Sequence, residues 1–155
     1  MAEDDVDFVV AAYRADDAWH VAELKTSLGY DLEELGEALA RFRSDDGVFG
    51  LLSVDEDWFA ILRREGTRTR WMLSDVTVVS ESALAGDVAD AMDLREVDDD
   101  EDPQPGGDLE ILSDLGVSAP VLVDVCDDDV SLPADLLLEL AELLGFADDL
   151  EEVLD

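Results

Sequence analysis

The segment EVDDDEDPQPGGD, residues 96–108, packs carboxylates densely enough to suggest a cation site. Asp98, Asp100 and Asp102 fall at positions 1, 3 and 5 of a twelve-residue calcium loop. Such a loop needs glycine at position 6 and a bidentate Glu at position 12; here these are Pro103 and Leu109. The calcium reading fails. Zinc chemistry has even less to work with. His20 is the lone histidine and Cys126 the lone cysteine. A zinc deaminase needs a His-x-Glu and a Pro-Cys-x-x-Cys, because three ligands must hold the metal while Glu moves protons. A His/Cys zinc site within one chain is likewise excluded. A Ser-His-Asp triad would have to use His20, which reads more simply as a strand residue beside Trp19. Neither GVFG nor PGGD has the spacing or the Lys of a phosphate loop. No catalytic, cofactor or metal residue is therefore assigned.

Basic residues are scarce, so their clustering is informative. Arg63, Arg64, Arg68 and Arg70 fall within eight positions, next to Trp71. Two readings stay open. The cluster is an anion site, for a partner's acidic surface or for this chain's own tail. Alternatively it is a solvated hairpin offsetting neighbouring acids, which the low cost of exposed ion pairs favours. Trp19, Trp58 and Trp71 have strand spacing and read as core.

Charge sets the wider bounds. The chain of 155 residues has 43 acids against 9 bases, a formal net charge of −34. All nine bases precede residue 96, and residues 96–155 contain 21 acids with no Lys, Arg or His. That part cannot neutralise phosphates, so direct nucleic-acid binding there is not expected, nor is attraction to anionic lipid. No apolar run reaches the length of a membrane span. An acidic N-terminal stretch, MAEDDVD, and a single Cys point to a reduced, cytoplasmic protein. With 48% apolar residues the chain can still bury a core.

The elements that must position these residues follow from periodicity. Residues 7–13 and 19–25 read as a hairpin, and 31–43 as a helix with Leu32, Leu35, Leu39 and Phe42 at helical spacing. Residues 48–54 form a nearly continuous apolar run, as in a central strand, and 58–64 and 68–74 continue a meander. Residues 82–94 return to a helical pattern. The predicted fold is α+β, a mainly antiparallel sheet with helices on one face, over residues 1–95. Residues 96–107 read as an acidic Pro/Gly linker, and 108–155 as a small all-helical module. Within that module helices are predicted from Asp108 to Gly116, from Ser118 (where Ser118 and Pro120 suit a helix start although the valines favour a strand), from Ser131 to Gly145, and over the last residues. The helix at 133–144 has more leucine than one stripe needs. Leu136, Leu140 and Leu143 are therefore candidates for a partner surface, against the plainer reading of a buried bundle.

The blocks VFGLLSVDEDWFAILRR, LSD at 73–75, the acidic segment, GDLEILSDLG and LPADLLLELAELLGFADDLEEV occur in an order that resembles the actinobacterial tRNA adenosine deaminase-associated proteins over nearly the whole chain. DEDWFA and the Leu-Gly-Phe-Ala ending are the specific parts. The resemblance implies a gene neighbourhood beside the deaminase and brings no catalytic or binding residues with it. Three functions compete on this footing. A non-catalytic accessory or regulator of the deaminase is favoured by the resemblance. An acidic nucleic-acid mimic seated in a basic groove of a protein partner is permitted by the charge. An acid-only enzyme is disfavoured by the missing motifs. The sequence sets no oligomeric state.

Overall fold

Continuous apolar strands need cover on both faces. β3 (Val48–Val54) is buried at every position, and β4 (Trp58–Glu65) through Arg63. The computed structural model describes residues 6–16, 18–42, 44, 47–54, 56, 58–65, 68–80, 83–91, 105–127 and 132–154. The run Asp98–Asp102, with Pro103, lies outside these residues, as does Met92 of the predicted 82–94 helix.

β1 (Val6–Ala15) and β2 (Ala18–Leu24) make the first hairpin, and β3, β4 and β5 (Arg68–Leu73) the meander. β6 is the dipeptide Gly106–Gly107, paired with Met72 and Leu73. The sheet order is β2-β1-β3-β4-β5-β6, antiparallel throughout. Gly106 passes so close to the Val76 side chain that a Cβ there would overlap Val76 Cγ1. The last strand can therefore be laid against β5 only by a residue without a side chain.

α1 (Leu32–Ala40) and α2 (Ala83–Ala91) cover one face, the expected arrangement. Asp31 caps α1 by accepting the Glu34 N–H at 3.2 Å. This layer buries Val9, Leu52, Trp58, Leu62, Trp71 and Leu73 against Leu35, Leu39, Leu84 and Val88. Two short 3-10 turns, Thr26–Tyr30 and Val76–Ser80, lead into the helices and were not foreseen from the sequence.

The other face is covered by the C-terminal part of the chain. α3 (Ala119–Cys126), α4 (Pro133–Leu144) and α5 (Ala147–Leu154) share one core with the sheet. Phe8, Val10, Phe49, Phe59, Ile61 and Met72 pack with Ile111, Leu122, Leu136, Leu137, Leu140 and Leu150. The residues read as a small helical module are thus the second outer layer of a three-layer structure. α4 stops at Gly145 (φ +110°), and the Phe146 N–H reaches back to the Ala141 carbonyl at 2.9 Å, the expected Schellman closure.

One predicted helix is absent. Residues 108–116 form turns and a single 3-10 turn, Ser113–Leu115, ended by Gly116 at φ +101°. The Asp108 N–H is committed to the Trp71 carbonyl at 2.8 Å, extending the ladder past β6. Ile111, Leu112 and Val117 must all reach the core from this short stretch. Tertiary pairing overrides the helical propensity read from the sequence.

Truncation after residue 107 would bare the face of Phe8, Phe49, Phe59 and Met72. Each such side chain forfeits about 1.5–3 kcal/mol, against a total stability of roughly 5–15 kcal/mol. The truncated chain is expected to lose cooperative thermal unfolding by near-UV circular dichroism. A sharp transition close to that of the full chain would show that residues 1–107 fold alone.

Candidate interaction site

The β4–β5 hairpin sorts its arginines by alternation. Arg63 pairs across the ladder with Arg70, Arg64 with Thr69, and Glu65 with Arg68. Arg63 and Arg70 therefore share one face, that of the C-terminal layer, and Arg64 takes the other. Arg64 Nη1 donates to Thr69 Oγ1 at 3.3 Å, and it lies 3.3 Å from where a Cβ on Gly36 of α1 would sit. Arg68 is exposed.

Arg63 is only 2% exposed. Its guanidinium donates from Nη1 to the Ile111 carbonyl at 2.9 Å and to Asp114 Oδ1 at 2.6 Å, and from Nη2 to Asp114 Oδ2 at 2.8 Å. Nε faces Glu65 Oε1 at 3.2 Å, and the guanidinium carbon sits 4.9 Å from the centre of the Phe49 ring. Arg70 donates from Nε to Asp108 Oδ2 at 2.5 Å and from Nη2 to the Glu110 carbonyl at 3.2 Å. Both arginines grip the segment 108–114 that leads into the second helical layer. The anions they bind are this chain's own: Asp108 and Asp114 of its C-terminal part, one of the readings left open by the sequence, and the neighbouring Glu65 of the hairpin itself.

The fork of Arg63 matches the Asp114 carboxylate oxygen for oxygen, which makes the pair directional as well as attractive. Its hydrogen bond and charge hold the Asp114 carboxyl below the usual carboxylate range against the cost of burial. At Asp108 burial pushes the pKa up, but the hydrogen bond and charge of Arg70 outweigh it and the net shift is downward.

A second tie joins the same layers at β2. Trp19 Nε1 donates to the Leu144 carbonyl at the end of α4, at 3.1 Å. Its ring lies 4.7 Å from Phe146 and 6.1 Å from Phe49, centre to centre. Phe49 thus lies between Arg63 and Trp19.

The remaining sequence candidates divide by burial. Trp71 is core on the α1–α2 side. Leu136 and Leu140 are buried in the C-terminal layer, while Leu143 is 52% exposed. The structure joins Arg63 and Arg70 to one segment by hydrogen bonds and brings the charge of Arg68 to bear on Asp108, while Arg64 takes the other face of the sheet and Leu143 stands exposed on α4. Asp108, Asp114 and the Ile111 carbonyl were missed as their partners. The available signal was Asp114, an acid inside the apolar run ILSDLGV with no base near it in sequence. Burial pushes the Cys126 thiol up to about 12, away from the thiolate form that nucleophilic chemistry uses. His20 stacks on Tyr13 with ring centres 5.2 Å apart. Among the described residues no group of three or more His, Cys, Asp or Glu side chains could hold a metal ion.

A family model described as Rv3753c-like tRNA adenosine deaminase-associated protein matches residues 7–147, from β1 into α5. The chain belongs to this family. The match spans both sides of the Arg63–Asp114 contact. Protein Rv3753c of Mycobacterium tuberculosis is 35% identical over 152 residues, covering 96% of this chain and 87% of that protein. No solved structure matches.

Arg63→Ala would leave the Ile111 carbonyl and Asp114 without their donor and uncover Phe49. The expected loss is about 2–3 kcal/mol in urea unfolding, since half-exposed Asp114 can rehydrate but the carbonyl cannot. The pH dependence has a fixed sign. A carboxylate with a lowered native pKa adds stability above its unfolded pKa, about 3.9, and that gain is lost as pH falls through the native value. The advantage of the native chain over Asp114→Asn should therefore be full at pH 6 and shrink below pH 4. An advantage unchanged at pH 2–3 would remove the ion pair from the account.

Proposed function

We propose that this protein is a non-catalytic accessory of a tRNA adenosine deaminase, acting through protein–protein contact in the cytoplasm. The family description supports the association. The observation that carries the mode of action is the disposition of charge. Two of the few arginines, Arg63 and Arg70, are committed to Asp114 and Asp108 inside the fold. The C-terminal layer meanwhile exposes Asp135, Glu139, Glu142, Asp148, Asp149, Glu151 and Glu152, with no Lys, Arg or His after residue 95. Such a face repels phosphate and attracts a basic protein surface. Within about 8 Å at physiological salt this attraction steers a partner, and higher salt screens it. The described residues hold no helix long and apolar enough to cross a membrane.

The nucleic-acid mimic remains as a second reading, favoured by one feature. Its exposed acids stand on helices packed into a core, a rigid frame of the kind a mimic needs.

The test is titration of the purified deaminase from the same organism with this chain at 50 and 500 mM salt. A complex is expected at low salt, weakened at least about tenfold at high salt, with no adenosine turnover by this chain alone. Absence of a complex at low salt would end the accessory reading. Added tRNA separates the two modes: displacement of this chain indicates occupation of the tRNA groove, and a ternary complex indicates docking elsewhere.

A further inference from the structure

The two edges of the sheet are unlike. At one, β6 offers two glycines and the chain leaves. At the other, β2 runs for seven residues, AWHVAEL, and among the described residues pairs only with β1. β2 has no proline, and its pairing with β1 is in continuous register with no bulge. Natural sheets blunt a long edge with such devices, because its outward N–H and C=O groups form a template for another strand.

A hollow of about 480 Å³ lies beside this edge, between β2 and α1. Leu24, Leu28, Ala38 and Phe42 give it an apolar wall, and Lys25 and Arg41 rim it together with Glu23, Glu34 and Glu37. Across the sheet plane the surroundings differ. Trp19 and Val21 point to the C-terminal layer, and exposed Glu23 alternates with them at the strand's end, where it borders both the α1 hollow and a second one lined by Phe8, Pro133 and Leu154. α5 packs against β2 on that side and exposes Asp148, Asp149, Glu151 and Glu152.

We infer that the open edge of β2 takes an extended segment of a basic partner protein as an added strand, with apolar side chains in the α1 hollow and alternate Lys or Arg side chains over the Glu23–α5 face. Three features meet at one place. Backbone groups supply the hydrogen bonds, the hollow at the Leu24 end of β2 accepts the apolar side chains that fall over it, and the opposite face supplies negative charge. A second copy of this chain is the weaker occupant, because pairing β2 with β2 brings together two chains of formal charge −34 each. The inference does not depend on the partner being the deaminase.

The probe is the peptide acetyl-Lys-Val-Lys-Val-Arg-Val-Lys-amide, titrated into the full ¹⁵N-labelled chain at low salt. Amide shifts are expected along β2 and on the α1 wall. Two N-methylated forms of the peptide, each blocking alternate backbone nitrogens, discriminate the mode. The form blocked on the side facing β2 should bind at least about tenfold more weakly, while the other stays near the parent. Ala38→Trp, which fills the hollow, should weaken the parent peptide similarly with unfolding unchanged. Equal binding of both methylated forms would reduce the contact to diffuse attraction and overturn the inference. So would absence of binding. A concentration-dependent dimer with β2 amides shifted before any peptide is added would assign the edge to a second copy instead.

Discussion

The guanidinium of Arg63 joins the two halves of this fold, and the rest of the architecture depends on that junction. It lies in the sheet, over Phe49, and takes the Ile111 carbonyl and the Asp114 carboxylate from the far side of the acidic stretch. Burial of aromatic and aliphatic side chains supplies most of the free energy, at about 1.5–3 kcal/mol per large residue. Burial alone, however, sets no register. Many arrangements of leucine-rich helices could cover Phe49, Phe59 and Ile61. Only one places a carbonyl and both oxygens of a carboxylate at the prongs of a fixed fork. Arg63 therefore selects among packings that are similar in apolar area.

The same logic explains why so few bases suffice in so acidic a chain. An exposed ion pair contributes between nothing and about 1 kcal/mol. Breaking the contacts of a guanidinium withdrawn from water costs more, because its loss would leave the Ile111 carbonyl unpaired. Arg63 and Arg70 sit where 108–114 crosses β4 and β5, so repulsion among the acids is countered at the point where the second layer begins. Trp19 secures the other end by bonding the Leu144 carbonyl without any charge. The acids of α3, α4 and α5 remain outward, where water and counterions accommodate them.

Much of this was legible in the sequence. The strand runs at 7–13, 48–54 and 58–64, the helix read over 31–43 and the Gly145–Phe146 stop follow from periodicity and chain stereochemistry, and they occur, the helix shortened to Leu32–Ala40. The arginine cluster and a self-directed role for it were also within reach. Its partners were not, because a contact between residues 63 and 114 is set by tertiary register, which one sequence does not encode locally. The break at 96–107 drew attention to separation along the chain. The stronger signal pointed the other way. The unalternated apolar run VFGLLSV requires cover on both faces, and α1 and α2 can supply only one. The leucine excess of α4, weighed as partner surface against the plainer buried bundle, is largely the answer to that requirement, with Leu136, Leu137 and Leu140 buried and Leu143 left outside.

What the packed layers leave over is therefore specific. With both faces largely covered, the sheet meets solvent mainly along its edges, and the β6 edge is a glycine dipeptide with Gly106 held against Val76. Among the described residues the unspent strand-edge groups are concentrated on β2, between an apolar hollow and an acidic helix. A chain whose surface is dominated by carboxylates gains long-range attraction for basic partners but little geometric discrimination, since charge at a distance reads no shape. An open strand edge has the opposite character: it reads backbone direction and side-chain alternation at contact range, and exerts no pull beyond it. Their combination on one side of the molecule lets charge govern the rate of encounter and the edge govern what stays bound.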